Sequence, residues 1–326
     1  MSDILGEYQI VQNRGGLFEL PRGILKISGP DSVDFLHRMT TQNVKNILAG
    51  HGANSALLQS NAMLVSIFSL YNTGNFFLLL TDAPRARVTI ECLEKFHFAE
   101  DVEIKDVSNE FKFISAQGKD ADHLSKTLGQ LPVVTHHVMG TETCFVMKEQ
   151  DFGLPGYHLV VKRDRYEEVL QKFKDEGLSI LSLELWGALR AEAGYFTFGV
   201  DVTEKNLILE GPLADYVNRG KGCYPGQEVV ERVFTYGNVA KKLVGLKVDK
   251  SAAAPVPNEK IFAGDKEIGV VTSVKKLPWN QSSVALGIVR RPFYNGGQKV
   301  AMSETKSVAD VIDLPYSFHI EEEKES

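Results

Sequence analysis

The chain has 326 residues, of which 43% are hydrophobic and 24% charged, and its formal net charge is −6. That length implies about two to three domains, and the composition is that of a globular chain with apolar side chains enough for a full core. The acidic balance excludes a generic polyanion binder, which needs a basic excess, while leaving room for a local basic patch.

The amino-terminal stretch MSDILGEYQIVQNRGG has no basic segment and no long apolar run, so no signal peptide is expected. Next, Gly23–Gly29 alternates apolar and polar residues as a half-buried strand does. Pro30 and Asp31 can open a helix that sets Val33, Leu36 and Met39 on one face. The apolar run from Met63 to Leu80 is long enough for a membrane span. It is broken by Asn72, Thr73, Gly74 and Asn75, which are turn formers, so a hairpin is predicted instead. Pro84 then starts a helix with Ala86, Ile90, Leu93 and His97 as its stripe.

Between about Phe111 and Leu181 the order changes. Strands are predicted at 111–117, 133–139, 143–149, 157–162 and 178–181, with helices at 119–129 and 164–177. This pattern is close to a ferredoxin-like unit. Another helix follows at 182–194. From Lys241 the chain is rich in short strands, with a Gly264-Asp265 hairpin turn, and a small β-barrel or sandwich is expected. The fold class is therefore α+β with an all-β tail.

Several chemistries are absent. No glycine-rich nucleotide fingerprint and no CxxC or HExxH zinc pattern occurs, so no metal site is predicted. His136 and His137 fall in a predicted strand, where neighbours point to opposite faces. The three cysteines, Cys92, Cys144 and Cys223, are scattered and odd in number. That argues against a disulfide framework and for a reducing compartment, and a cytoplasmic location is expected.

The segment RGKGCYPGQEVVERV, Arg219–Val233, gathers Gly220, Gly222, Cys223, Tyr224, Pro225 and Gly226 ahead of a predicted helix. Glycines permit backbone angles closed to other residues and let another molecule approach the main chain. A helix amino terminus and the nearby Lys221 both favour a Cys223 thiolate, while Glu228 opposes it. The alternative is a small buried cysteine in a tight turn. Arg219, Lys221, Arg232, Lys241 and Lys242 outnumber Glu228 and Glu231. An anionic ligand or an RNA backbone could dock on such a face, or the face is simply solvated.

KGCYPGQE resembles the K-G-C-Y-x-G-Q-E signature of YgfZ-type folate-binding proteins, relatives of the glycine cleavage system aminomethyltransferase, or T-protein. The likeness extends through GPDSVDFLHRMTTQNV, through LRAEAGYFTFGVDVTEKNLILEGPL, and into EIGVVTSV, VALGIVRR and LPYS. It implies a three-lobed ring of two α+β lobes, one of them ferredoxin-like over about 108–184, plus a carboxy-terminal β-barrel. The implied division is a folate-binding region at 1–240 and a barrel at 241–326.

The same resemblance places the pterin-binding carboxylate of the R-x-E-x-G motif at Glu192. Arg190, Tyr195, Tyr224 and Gln227 are expected around the cofactor, which is tetrahydrofolate or a one-carbon derivative. A carboxylate can accept paired hydrogen bonds from a pterin amino group and ring N–H. The other reading of Glu192 is a helix-end carboxylate paired with Arg190 or Lys205. Tyr195, Phe196 and Phe198 offer aromatic surface for a flat ring, or belong to the core.

T-proteins carry an Asp pair in the strand after their first helix, one of them catalytic. The matching stretch here, NAMLVSIFSLY, has no carboxylate, and Ser66 or a neighbour stands in that place. Asn61-Ala62 also replaces a Gly-Lys found in many YgfZ relatives. The resemblance thus implies a folate-binding factor for the assembly or repair of iron–sulfur client enzymes, including those of tRNA modification. Its chemical group would be Cys223, with Lys221 beside it. Weak tRNA contact is included among the expected partners, and no membrane. The alternative is a folate-dependent aminomethyl or one-carbon transferase with altered catalytic residues.

Overall fold

The computed structural model describes residues 3–118, 129–248 and 252–315. It contains two compact units, one of residues 9–183 with 215–231, the other of 1–8, 184–214 and 232–326.

The chain begins with α1 (Ile4–Asn13), β1 (Gly16–Glu19), β2 (Arg22–Ser28), α2 (Ser32–Met39), β3 (His51–Leu58), β4 (Leu64–Asn72), β5 (Phe77–Asp82), α3 (Ala86–Glu94) and β6 (Glu103–Asp106). An antiparallel sheet of order β3-β4-β5-β2-β6 anchors the first lobe. The predicted hairpin is β4 and β5, paired from Phe68↔Thr81 to Asn72↔Phe77, with Gly74 at φ 94° in the turn. Leu25, Ile27, Leu57, Phe68, Leu70 and Leu79 pack under α2 and α3 as one core. On α2 the inward residues are Phe35, Leu36 and Met39, while Val33 is 36% exposed. Leu36 and Met39 of the expected stripe face inward, whereas Val33 gives its place to Phe35. His97 lies beyond the end of α3 rather than on it.

The second lobe adds β7 (Phe111–Gln117), β8 (Val138–Thr141), β9 (Cys144–Glu149), β10 (Gly156–Lys162) and α4 (Tyr166–Asp175). Its sheet order is β1-β7-β10-β9-β8, again antiparallel throughout. The run β7-β10-β9 is the neighbour order of a ferredoxin-like unit. The edge beyond β7, however, is held by β1 from the amino terminus. Residues 178–181 form no strand; Ile180 makes a single parallel bridge to Leu17. The helix expected from residue 119 lies outside the described residues up to 128. The strand predicted from Val133 begins only at Val138, since Val133 is 84% exposed and His136 has φ 61°. His136 and His137 are therefore not opposed strand residues. His136 Nδ1 bonds the Glu149 carboxylate at 2.7 Å, and the His137 ring packs edge-on to His51.

The remaining elements are α5 (Leu183–Glu192), α6 (Gln227–Tyr236), β11 (Lys241–Val248), β12 (Lys260–Ala263), β13 (Lys266–Leu277), β14 (Ser282–Arg290), β15 (Lys299–Met302) and β16 (Val308–Ile312). The last six close into a barrel, β11-β14-β13-β12-β15-β16. Alternating residues such as Val244, Leu246, Val271, Ala285, Val289 and Val311 fill it. Closure removes the unpaired edges that an open sheet would expose. Among the described residues no helix is long and apolar enough to cross a membrane.

Candidate functional site

Two of the sequence-predicted clusters take definite shape, one in each unit. In the larger unit, the 219–226 loop is fastened to the end of α2. Lys221 is 5% exposed, and its ammonium donates to the carbonyls of His37 and Thr40. Those carbonyls belong to the last turn and cap of α2, where unsatisfied C=O groups gather partial negative charge. A buried cation with no carboxylate partner among the described residues is thereby accounted for. Thr41 extends the seam: its hydroxyl donates to the Tyr216 carbonyl at 2.6 Å, and its carbonyl accepts the Asn218 N–H at 3.0 Å.

The second anchor is Gly226. Its φ is 83°, and a Cβ there would stand 2.7 Å from the Gln59 carbonyl oxygen and 2.8 Å from the Ala62 Cα. Only glycine fits both the angle and the space. Between the anchors, Cys223 is exposed, which excludes the buried-cysteine alternative. The other two cysteines are half-buried, and burial pushes both thiols up, Cys144 to about 11.

Tyr224 is 7% exposed, its hydroxyl has no hydrogen-bond partner among the described residues, and burial with the nearby Glu231 raises its pKa to about 12. Its ring lies under the Lys221 ammonium, 5.0 Å away. Gln227 is half-buried at the first turn of α6. Sequence reasoning missed His37. Its Nε2 is 3.9 Å from where a Cβ on Gly222 would stand. Burial first, then the charges of Lys221 and Lys45, depress its pKa and favour the neutral ring. Nothing in the spacing of a lone histidine on α2 announced that it would stand beside the 219–226 loop.

Burial also draws the Lys221 pKa from 10.5 to about 8, against the countering charge of Cys223. The unfolded chain therefore holds more protons than the folded one between those values, and stability must rise with pH across that window. The contribution is full above about 10.5 and is lost as pH falls through 8. Urea melts from pH 7.5 to 10.5 should show native protein gaining stability relative to Lys221→Met. Parallel curves would mean that the ammonium is not buried as described.

Four of the five predicted basic residues of that stretch are engaged within their own units. Besides the buried Lys221, Arg219 pairs with Glu231 at 3.1 Å, Lys241 with Glu210 at 3.8 Å and Lys242 with Asp313 at 3.4 Å.

In the smaller unit, α5 ends in the R-x-E-x-G run. Gly194 has φ 73°, and the Tyr195 N–H returns to the Arg190 carbonyl at 3.0 Å, so the helix stops there. Arg190 donates to the Tyr195 carbonyl and lies 3.9 Å from the Asp201 carboxylate. Asp201, 2% exposed, also accepts the Thr197 N–H at 2.8 Å and the Thr272 hydroxyl at 2.6 Å. Arg190 and Asp201 thus hold the 195–201 loop in place. Glu192 is 4% exposed, and its Oε1 accepts the Trp279 indole N–H at 2.8 Å. Tyr195 is 39% exposed.

Ser66 is fully buried in β4. Its hydroxyl lies 3.2 Å from that of Thr81 and accepts from Thr89 at 2.8 Å. This is an internal hydroxyl network tying β4 to β5 and α3. A cavity of about 100 Å³ in the same unit is lined by Arg22, Ser69, Thr81, Asp82, His158 and Tyr216. Arg22 pairs with Asp82, and His158 Nε2 is 2.6 Å from Asp151. Among the described residues no group of three or more His, Cys, Asp or Glu is placed to hold a metal ion.

Two five-stranded antiparallel sheets with helices, followed by a closed six-stranded barrel, define an α+β protein of the glycine cleavage T-protein architecture. Residues 1–221 match the GCVT N-terminal domain, and residues 241–316 match the glycine cleavage T-protein C-terminal barrel domain. The chain belongs to that aminomethyltransferase-like family. It is 25% identical over 323 residues to the aminomethyltransferase of Rubrobacter xylanophilus, covering 96% of this chain and 86% of that one. With the aminomethyltransferase of Bacillus pumilus it shares 26% identity over 333 residues, covering 97% and 90%. The crystal structure of the glycine cleavage system aminomethyltransferase T from Bartonella henselae superposes with a TM-score of 0.87 at 22% identity, over 96% of this chain and 89% of that one.

Proposed function

We propose that this protein binds tetrahydrofolate or a one-carbon derivative through Glu192, and that its working group is the Cys223 thiol, serving iron–sulfur enzymes that include those of tRNA modification. The observation that carries the reading is an exposed cysteine fixed between two rigid anchors, in a chain whose β4 has no carboxylate. The resemblance of KGCYPGQE to the YgfZ-type signature is what supports a link to iron–sulfur clients.

The residues present fit a pterin. A buried carboxylate that accepts an aromatic N–H in the ligand-free protein is a site whose chemistry suits the N–H edge of a pterin. Glu192 would take the pterin amino group and ring N–H, with Arg190 and Asp201 holding the loop that carries Tyr195. Tetrahydrofolate, when bound, supplies a carrier for one-carbon units. Cys223, as thiolate, can attack a client's disulfide. One S–S bond forms, one breaks, and the client's other sulfur leaves as thiolate.

Cys223→Ala tests this. The side chain is exposed, so stability should stay within about 0.5 kcal/mol. Affinity for reduced folate should be unchanged, while restoration of client enzyme activity in a deletion strain should be lost. Full rescue would remove the thiol from the mechanism.

A second reading is an aminomethyl or one-carbon transferase, favoured by the names of the relatives. It lacks the β4 carboxylate that would move a proton, a loss that typically lowers rate by orders of magnitude. Turnover of tetrahydrofolate to its methylene form with an aminomethyl donor would establish it.

A further inference from the structure

The bond between Trp279 and Glu192 has a geometry that a folate site would not otherwise need. Trp279 sits in the turn between β13 and β14, where Asn280 Oδ1 accepts the Ser282 N–H at 3.1 Å and its hydroxyl at 2.7 Å, and Gln281 has φ 56°. The indole is stacked on the Tyr8 ring of α1, with centroids 4.0 Å apart and planes 6° from parallel. Ala188, Ala191, Leu277, Val284 and Ile4 form a small apolar cluster with it. A flat heteroaromatic ring, stacked on Tyr8 and packed against that cluster, thus delivers one N–H to a carboxylate that is only 4% exposed. Those are the two things a pterin would bring to Glu192: a planar face and an N–H edge.

We propose that Trp279 is an internal surrogate for the pterin, which occupies Glu192 in the ligand-free protein, withdraws when a reduced folate binds, and so sets the affinity of the site. This inference rests on the reading of Glu192 as the pterin acceptor. Two ligands competing for one carboxylate lower each other's apparent affinity by the fraction of molecules in which the other is seated. Tyr8 holds the surrogate in its seat by stacking, and the β13–β14 turn is the segment that must move.

The test uses 5-formyltetrahydrofolate as probe, with the native full chain, Trp279→Phe and Glu192→Gln. Phenylalanine keeps a ring for Tyr8 and the apolar cluster while deleting the N–H. Trp279→Phe should bind about tenfold more tightly than the native protein. The chain has two tryptophans, so its two indole ¹⁵N–¹H resonances can be assigned by the one missing in Trp279→Phe. In the native protein the Trp279 signal should leave its carboxylate-bonded position on saturation. Equal or weaker binding by Trp279→Phe, or an unmoved indole signal at saturation, would overturn the surrogate while leaving Glu192 as acceptor if Glu192→Gln has lost the ligand. Undiminished binding by Glu192→Gln would overturn the acceptor itself, and the surrogate with it.

Discussion

Gly226→Ala is expected to destabilise the protein by about 3 kcal/mol and to lower its thermal midpoint by roughly 6–12 °C. Two separate causes add. The left-handed backbone at φ 83° costs a residue with a Cβ about 1–2 kcal/mol. The new methyl would also stand 2.7–2.9 Å from the Gln59 carbonyl and from the Ala62 backbone, so a turn must shift. Backbone cannot yield as a long side chain would. Ala62 is itself at φ 64°, and its N–H is bonded to Gln59, so that turn has little freedom. The neighbouring position supplies the control. A Cβ on Gly222 meets nothing nearer than His37 Nε2 at 3.9 Å, and Gly222 is exposed. Gly222→Ala should therefore melt with the native protein. Calorimetry of the two variants separates a structural glycine from one present for access, and similar midpoints for both would contradict the packing described.

Glu192→Gln is expected to weaken reduced-folate binding by about 100-fold, with little change in stability. Hydrogen bonds to a charged partner contribute about 1.5–3 kcal/mol each, and a tenfold change corresponds to about 1.4 kcal/mol. Glutamine keeps one acceptor oxygen but turns an NH₂ group toward a ligand edge that only donates. The fold should tolerate the change, because the remaining oxygen can still accept the Trp279 indole and a buried charge has been removed. Isothermal titration at constant salt measures the loss, and an unaltered Kd would mean that the pterin binds elsewhere.

Much of the architecture could be read because the apolar patterning was locally unambiguous. The 63–80 run broke at four consecutive turn formers, and β4 and β5 pair across that break. The barrel strands were found because short alternating segments repeat between turns. Failures came where composition and hydrogen bonding part company. Val133 and Val134 look like strand residues yet are exposed, and the ladder starts only after His136 takes a left-handed conformation. Residues 178–181 read as a strand, but β1 takes the place beside β7. Such choices depend on which distant segment wins an edge, which no local pattern encodes.

The site was legible to a similar depth. The motif marked Gly220, Gly222 and Gly226 alike as permissive backbone without singling out Gly226, and at 223 a thiolate stood against a small buried cysteine in a tight turn. Lys221 was read for its charge near the cysteine, whereas its contacts make it the cap of α2. His37 lies 184 residues from Lys221 in sequence, and a contact that remote leaves no periodic trace. Trp279 is 87 residues beyond Glu192 and escaped notice for the same reason.

The most direct measurement is a crystal structure of the protein soaked with 5-formyltetrahydrofolate. The account predicts the pterin edge within hydrogen-bond distance of the Glu192 carboxylate. A pterin bound away from Glu192, or a soaked crystal at saturating ligand with none bound, would contradict it.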